Sequence, residues 1–278
     1  MMFTPPKPNG AFRWAQLAAG PVLVCTALEP SAAHFFTTRA WRLGERTPES
    51  ANGWSDVALA ARVGVEHFGR LHQVHGTDAI TYKKGESWPG GGMPRADIAL
   101  TDDPAIALAI QTADCLPILF ADRRTSAVAA AHAGWRGLAA RAPVVAVERL
   151  SSDFGSRPAD LIVAIGPAIG ACCYEVGEDV RARFAQAGFT DAQLDRWFLS
   201  EPRALASNPS MPSVPSVRRP ARWFFDGWSC AREQLEATGV RGDQICIAEL
   251  CTASHPDVFC SYRRDGAGAG RMAAVIRT

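Results

Sequence analysis

The chain has 278 residues, 47% of them apolar, which suffices for one large domain or two small ones with a sizeable core. Twenty-nine basic against 28 acidic residues leave a formal net charge of +1, which argues against a generalised binder of nucleic acid or of a membrane surface. A small-molecule partner fits that balance better, and no stretch approaches the run of about 20 apolar residues that a membrane span needs.

The start, Met1 to Pro8, is proline-rich and lacks the basic and apolar regions of a signal peptide. Residues 1–19 therefore read as an N-terminal extension of a cytoplasmic protein. Strands are expected over Pro21 to Leu28, His34 to Arg39, Arg70 to His75 and Asp78 to Tyr82, where short β-branched and apolar runs lie between turn signals. Further strands are expected over Ala96 to Thr101, Ala105 to Gln111, Leu116 to Ala121 and Ser126 to Ala131. Helical spacing follows over Leu138 to Leu150, then a buried strand over Leu161 to Ile165. Gly177 to Phe189 and Asp226 to Thr238 have the pattern of amphipathic helices. Ile245 to Ala248, Val258 to Tyr262 and Met272 to Ile276 close the chain as strands. Two stretches read as surface loops: the glycine- and proline-rich Gly85 to Pro94, and the Pro/Ser-rich Glu201 to Arg222. Neither marks a domain boundary, so the chain reads as one domain over 1–278. Runs of strands between single helices imply an α+β protein with mixed sheets rather than regular βαβ alternation.

Eight cysteines in a cytoplasmic protein should be thiols or ligands, not bridges. Cys25, Cys230 and Cys246 sit in apolar patterns as small hydrophobes, and the vicinal pair Cys172-Cys173 reads as core or near-site filler. Cys115 is different because two other stretches offer partners at strand ends. His72-Gln73-Val74-His75-Gly76, Asp114-Cys115-Leu116-Pro117 and His132-Ala133-Gly134-Trp135-Arg136-Gly137 together supply His75, Cys115 and His132. Two imidazoles and one thiolate suit a catalytic zinc with one position open. Taken singly, each has a plainer role: a hydrogen-bonded histidine, a buried cysteine, a tight strand-to-helix turn. His72 and His75 would face opposite sides of a strand, so the two do not share an ion. Trp135 could stack on a base and Arg136 hold an anion. Asp114 either caps a turn or handles protons beside the site. Gly166-Pro167-Ala168-Ile169-Gly170 lacks a full phosphate-binding pattern and reads as a plain turn. Arg263, Arg264 and Arg271 gather in a glycine-rich loop that is either a clamp for phosphate or carboxylate or a solvated turn.

With these motifs assembled, the chain resembles the YfiH family of laccase-domain proteins, formerly called multicopper polyphenol oxidoreductases. The matching segments run in family order from about residue 20 onward: His34-Phe35-Phe36-Thr37-Thr38-Arg39, Gln73-Val74-His75-Gly76, Ala113-Asp114-Cys115-Leu116-Pro117, and His132 to Gly137. Ile165 to Gly170, Cys251-Thr252, and Phe259 to Asp265 with Gly270-Arg271 complete the set. The resemblance implies a four-layer α/β/β/α sandwich with two mixed sheets. It implies zinc on His75, Cys115 and His132; one copper could replace it in the same site, since divalent copper binds N/S sites more tightly. It also implies phosphorolysis of adenosine, inosine, guanosine and methylthioadenosine, and deamination of adenosine; some bacterial members are described as peptidoglycan-editing factors. The expected partners are thus a nucleoside and phosphate, not nucleic acid or membrane, acting on a monomer or weak dimer. Where the family often has a Gly-Gly-Val-Ser turn, this chain has Ala40-Trp41-Arg42-Leu43-Gly44, a departure at the rim of the pocket that bears on substrate preference.

On this reading Asp114, Cys115 and His132 are the catalytic candidates, and Arg39, Trp135, Arg136 and Arg263 the substrate contacts. The residues after His132 are Ala133 and Gly134, so the His-x-Glu element of zinc deaminases is missing and an acid/base must come from elsewhere. Three rivals stand beside it. A multicopper oxidase would need many imidazoles, and the chain has six histidines. A hydrolase with Cys115 as nucleophile and His132 as base would use the same residues without a metal. A non-catalytic module with structural zinc would usually offer four protein ligands.

Overall fold

The computed structural model describes residues 5–44, 53–86, 92–205 and 221–278. Two six-stranded mixed sheets lie face to face. The first contains β1 (Phe12–Leu17), β2 (Gly20–Cys25), β3 (Ala33–Thr37), β4 (Phe68–Arg70), β7 (Ala107–Thr112) and β15 (Met272–Arg277), in the order β1-β2-β3-β15-β7-β4. Only the β4–β7 pairing in it is parallel. The second contains β5 (Ala79–Tyr82), β6 (Ile98–Thr101), β8 (Leu116–Asp122), β9 (Val128–Ala133), β10 (Leu161–Ile165) and β14 (Ile245–Ile247), in the order β14-β10-β8-β9-β6-β5. Its outer pairs, β10–β14 and β5–β6, are parallel and its inner pairs antiparallel.

Helices cover the outer faces. α1 (Gly53–Ala60) packs on the first sheet through Val57 and Ala58, which meet Val22, Phe35 and Val275. α2 (Trp135–Ala139), α3 (Ala142–Phe154), α4 (Glu178–Gln186), α5 (Asp191–Trp197) and α6 (Gly227–Ala237) lie on the other side of the second sheet. A small antiparallel sheet, β11 (Glu175–Gly177), β13 (Arg222–Phe225) and β12 (Phe198–Leu199), joins that helical layer. The expected four-layer α/β/β/α arrangement is therefore present. Among the described residues no helix is long and apolar enough to cross a membrane.

Alternation along β9 positions the site. Ala129, Ala131 and Ala133 face the helices, whereas Val128 and Ala130 face the other sheet together with Leu119, Ala121, Ile110 and Ala274. His132 shares the parity of Val128 and Ala130, so it points into the end of the space between the sheets. The alanines are fully buried, and their small side chains let both neighbouring layers approach β9.

Several expectations are corrected. Residues 12–17, read as part of an N-terminal extension, form β1, paired from Phe12↔Cys25 to Leu17↔Gly20. The strand expected over Arg70 to His75 stops at Arg70, because the next residues curl around a buried carboxylate and His75 takes a left-handed φ of 62° that no strand tolerates. The helix expected from Leu138 to Leu150 is two helices. Arg141 between them has φ 63°, and Pro143 in the first turn of α3 has no N–H to continue the earlier ladder. Val258 to Tyr262 is not a strand. Val258 and Phe259 both donate backbone N–H to the His255 carbonyl, and Ser261 caps α7 (Tyr262–Asp265) by accepting from the Arg264 N–H at 3.3 Å. Of the two expected surface loops, residues 87–91 and 206–220 lie outside the described residues.

Candidate metal centre and active site

His75 lies on the loop after β4, Cys115 at the turn between β7 and β8, and His132 near the end of β9. The turn before Cys115 reverses through Asp114, whose φ is 92°. The β8–β9 register sets Leu116 against Ala133 and Pro117 against His132, so Cys115 emerges beside the end of β9. One ligand atom each from His75, Cys115 and His132 lie within 4.8 Å of one another. The two imidazoles meet edge to face with centroids 4.8 Å apart. Burial rises from exposed His75 through half-buried Cys115 to His132, which is 3% exposed. His72, which is exposed and bridges to Arg95, stands outside the group.

Asp97, just before β6, organises this trio. It is fully buried, and its Oδ1 accepts from His132 Nδ1–H at 2.7 Å. That bond leaves His132 Nε2 for the cavity. The same carboxylate accepts backbone N–H groups of Val74 (3.1 Å), His75 (3.0 Å) and Gly76 (2.7 Å), which holds the loop carrying His75. The Asp97 carbonyl accepts the His132 N–H at 2.8 Å. A buried carboxylate needs such partners, and one acid inside the apolar run Ala96 to Leu100 is the only sign of it in the sequence. Burial would raise the Asp97 carboxyl, but His132 and the loop amides hold it below the usual carboxylate range.

The charges of the trio are coupled. Burial alone would push the Cys115 thiol up; His132, then His75, bring it down to about 6. Burial would lower His132, but Cys115 and Asp97 raise it to about 9. Each of the two therefore favours the charged form of the other, thiolate at Cys115 and imidazolium at His132. A thiolate is the form that binds metal or attacks a substrate. Two nitrogens and one sulfur, with Asp97 fixing one imidazole from behind, suit a zinc-type site with an open position. Gly134 is required by space: a Cβ there would lie 2.9 Å from Cys115 Sγ and 3.2 Å from His75 Cδ2.

The trio opens into a cavity of about 520 Å³. Arg136, Arg263 and Arg271 bring positive charge to its wall, and Trp135, Tyr174 and Tyr262 bring aromatic faces. Arg136 lies over Trp135 at 4.3 Å and Arg263 over Tyr174 at 5.0 Å, so each guanidinium is braced by a ring. Gln73 ties the His75 loop to β7 by donating to the Gln111 carbonyl (2.8 Å) and accepting its N–H (2.7 Å). The Asp114 carboxylate accepts from Thr252 Oγ1–H and from the Arg263 N–H, both at 2.6 Å. It thereby fastens the arginine-bearing α7 to the Cys115 turn.

Of the residues expected to contact substrate, Trp135, Arg136 and Arg263 line the cavity. Arg39 does not. Its guanidinium donates to the Pro256 carbonyl and its N–H to the Val258 carbonyl, so it braces the segment leading to α7. The turn from Gly166 to Gly170 is structural: Ile169 donates to the Asp114 carbonyl at 2.9 Å, and a Cβ at Gly166 would enter the Phe36 ring at 2.3 Å.

Comparison with known proteins agrees with this architecture. The family described as multi-copper polyphenol oxidoreductase laccase matches residues 49–278. A Deinococcus radiodurans protein named purine nucleoside phosphorylase is 34% identical over 87% of this chain and 88% of its own length. Purine nucleoside phosphorylase YfiH of Escherichia coli is 35% identical over 74% of this chain and 72% of its own. The crystal structure of Bacillus licheniformis hypothetical protein YfiH superposes with a TM-score of 0.81 at 26% identity, covering 97% of this chain and 99% of that one. YlmD from Geobacillus stearothermophilus superposes at 0.76 with 29% identity, covering 95% and 98%. With the profile match, these relatives and the shared sandwich together, the chain belongs to the YfiH family of laccase-domain proteins.

Proposed function

We propose that this protein is a zinc-dependent purine nucleoside enzyme. Its main reaction is phosphorolysis of adenosine, inosine, guanosine and methylthioadenosine; deamination of adenosine is a second activity. The observation that carries the reading is the convergence of His75, Cys115 and His132 at a cavity with three arginines and three aromatic rings. The names of the relatives support the nucleoside class.

His75, Cys115 and His132 would hold the ion, which when bound supplies Lewis-acid activation at its open position. Arg136, Arg263 and Arg271 are suited to hold phosphate, since guanidinium groups pair with its oxygens by charged hydrogen bonds. Trp135, Tyr174 and Tyr262 offer faces for the purine. In phosphorolysis a phosphate oxygen bonds to the anomeric carbon of ribose while the bond to the base breaks, and the base leaves with a proton. The proton comes from the attacking phosphate, and Asp114 is the carboxylate assigned to relay it to the base. His132→Ala removes zinc and turnover together. The test is a nucleoside panel with and without phosphate, with products identified. Ribose 1-phosphate formed only with phosphate, and inosine from adenosine, are expected. Full turnover by a zinc-free His132→Ala protein would sink the reading.

A second reading is favoured by one contact. Asp97, His132 and Cys115 line up as orienting acid, base and nucleophile, the Asp97–His132 bond being 2.7 Å. A Cys-His hydrolase of this kind would survive a strong chelator and die with a thiol reagent. The zinc enzyme loses activity with both.

A further inference from the structure

Three cysteines gather away from Cys115. The sulfurs of Cys172, Cys173 and Cys251 all lie within 4.8 Å of one another, and those of Cys172 and Cys173 are 3.5 Å apart. Two turns bring them together. Beyond β10, the N–H groups of Cys173 and Tyr174 both donate to the Gly170 carbonyl, at 2.9 and 3.0 Å, in a tight reversal. Beyond β14, Cys251 pairs with Ala168 in a parallel bridge. Cys251 is fully buried, Cys172 is 3% exposed and Cys173 is half-buried. Among the described residues, which include all eight cysteines, there is no disulfide.

Packing of small hydrophobes does not by itself require three sulfurs to converge on one point. Here the Gly170 N–H donates to Cys251 Sγ at 3.4 Å. Amides turned toward sulfur stabilise a thiolate, and a thiolate is the metal-binding form. The spacing also fits. An ion at about 2.3 Å from each of three sulfurs in a plane needs sulfurs about 4 Å apart, a value between the 3.5 Å of Cys172–Cys173 and the 4.8 Å within which all three lie.

We infer that Cys172, Cys173 and Cys251 form a second metal site, separate from His75, Cys115 and His132, that takes one monovalent copper ion in three-sulfur coordination. Soft thiolates select monovalent copper and zinc over hard cations. Structural zinc takes four protein ligands, and among the described residues no fourth His, Cys, Asp or Glu donor joins this cluster. Monovalent copper accepts three. The ion enters already reduced, so no electron moves; thiol protons pass to solvent as the sulfurs bind. Cys251 adjoins Thr252, which holds Asp114, and Cys173 adjoins Tyr174, which lines the cavity. The cluster therefore backs the wall of the nucleoside pocket without belonging to it.

The test uses the full chain carrying Cys115→Ser, which removes the thiolate of the first site. It is titrated anaerobically with monovalent copper against bicinchoninate, and the bound ion is examined by X-ray absorption. One equivalent in sulfur-only coordination is expected. Adding Cys251→Ser or, separately, Cys172→Ser should remove that equivalent while far-UV circular dichroism stays unchanged. Should both variants misfold, the Cys115→Ser chain alone still decides: bound copper should slow iodoacetamide labelling of Cys173, mapped by mass spectrometry. No copper held against the competitor, copper retained after Cys251→Ser in a folded chain, or Cys173 labelling indifferent to copper would each overturn the inference.

Discussion

His75, Cys115 and His132 are legible in the chain because each stands beside turn residues at a strand end, and their side chains are rare metal-ligand types. Asp97 is not legible, because its partners come from residues 74–76 and from position 132, and only folding brings them together. It acts through His132 and the His75 loop, so it is a positioning residue. Asp97→Asn keeps the size but replaces the charged acceptor that holds one imidazole and three amides. Loss of such an outer partner typically costs about 10–100-fold in metal affinity. A zinc-competition titration of Asp97→Asn should show a fall of that order, with the far-UV circular dichroism spectrum of the wild type. Unchanged zinc affinity in the folded variant would show that Asp97 only fills space. Arg39 differs: the family motif suggested an anion contact, whereas its guanidinium reaches the Pro256 carbonyl and the cavity lining does not include it.

At the scale of elements, long periodic runs are read well and short or bent ones are not. β8, β9, β10 and α6 agree with their apolar patterns to within a residue or two. The small third sheet is built from strands of two to four residues, too short to show a period. β4 is overextended in the sequence reading because beyond it only His72 makes an isolated bridge, to Arg95, and the amides of residues 74–76 then turn to the Asp97 carboxylate instead of a neighbouring strand. β3 carries a device of its own. His34 is 7% exposed; its Nε2 accepts the Cys25 N–H at 2.9 Å and its Nδ1–H donates to the Ala32 carbonyl at 3.0 Å. That pattern requires the neutral ring, and burial lowers the His34 pKa below its ordinary 6.5. The unfolded chain therefore binds the proton more readily than the folded one. Stability from this group is complete above about pH 6.5 and is lost as pH falls below that value toward the lowered folded pKa. Urea unfolding between pH 7.5 and 5 should show the wild type losing more stability than His34→Gln, which cannot titrate. Parallel pH profiles for the two proteins would refute the assignment.

At the scale of the whole molecule, the α+β class follows from runs of strands between single helices, but the sheet order does not. β15 lies between β3 and β7, joining the last strand to one near the start, and no local pattern announces that pairing. The consequence is that the candidate centre draws on both sheets: the loop after β4 comes from the first, His132 from the second, and Cys115 from the turn that joins β7 of the first to β8 of the second. Metal on His75, Cys115 and His132 should then stabilise the sandwich as a unit. Binding to the folded state alone adds about 2.7 kcal/mol at a free ion concentration one hundred times Kd, less any affinity of the unfolded thiols and imidazoles. Leu119 lies fully buried in the core between the sheets, away from the cavity wall. Leu119→Ala removes core contacts and leaves a void, which should cost about 2–5 kcal/mol. Sites that share no partner add, so zinc should raise the stability of wild type and Leu119→Ala by the same increment and leave His132→Ala unchanged. Denaturant unfolding of the three proteins with zinc and with chelator measures all the differences. A zinc increment that survives His132→Ala would locate the stabilising ion elsewhere in the chain, and an increment lost in Leu119→Ala would mean that the centre depends on core packing rather than on its local Asp97 frame.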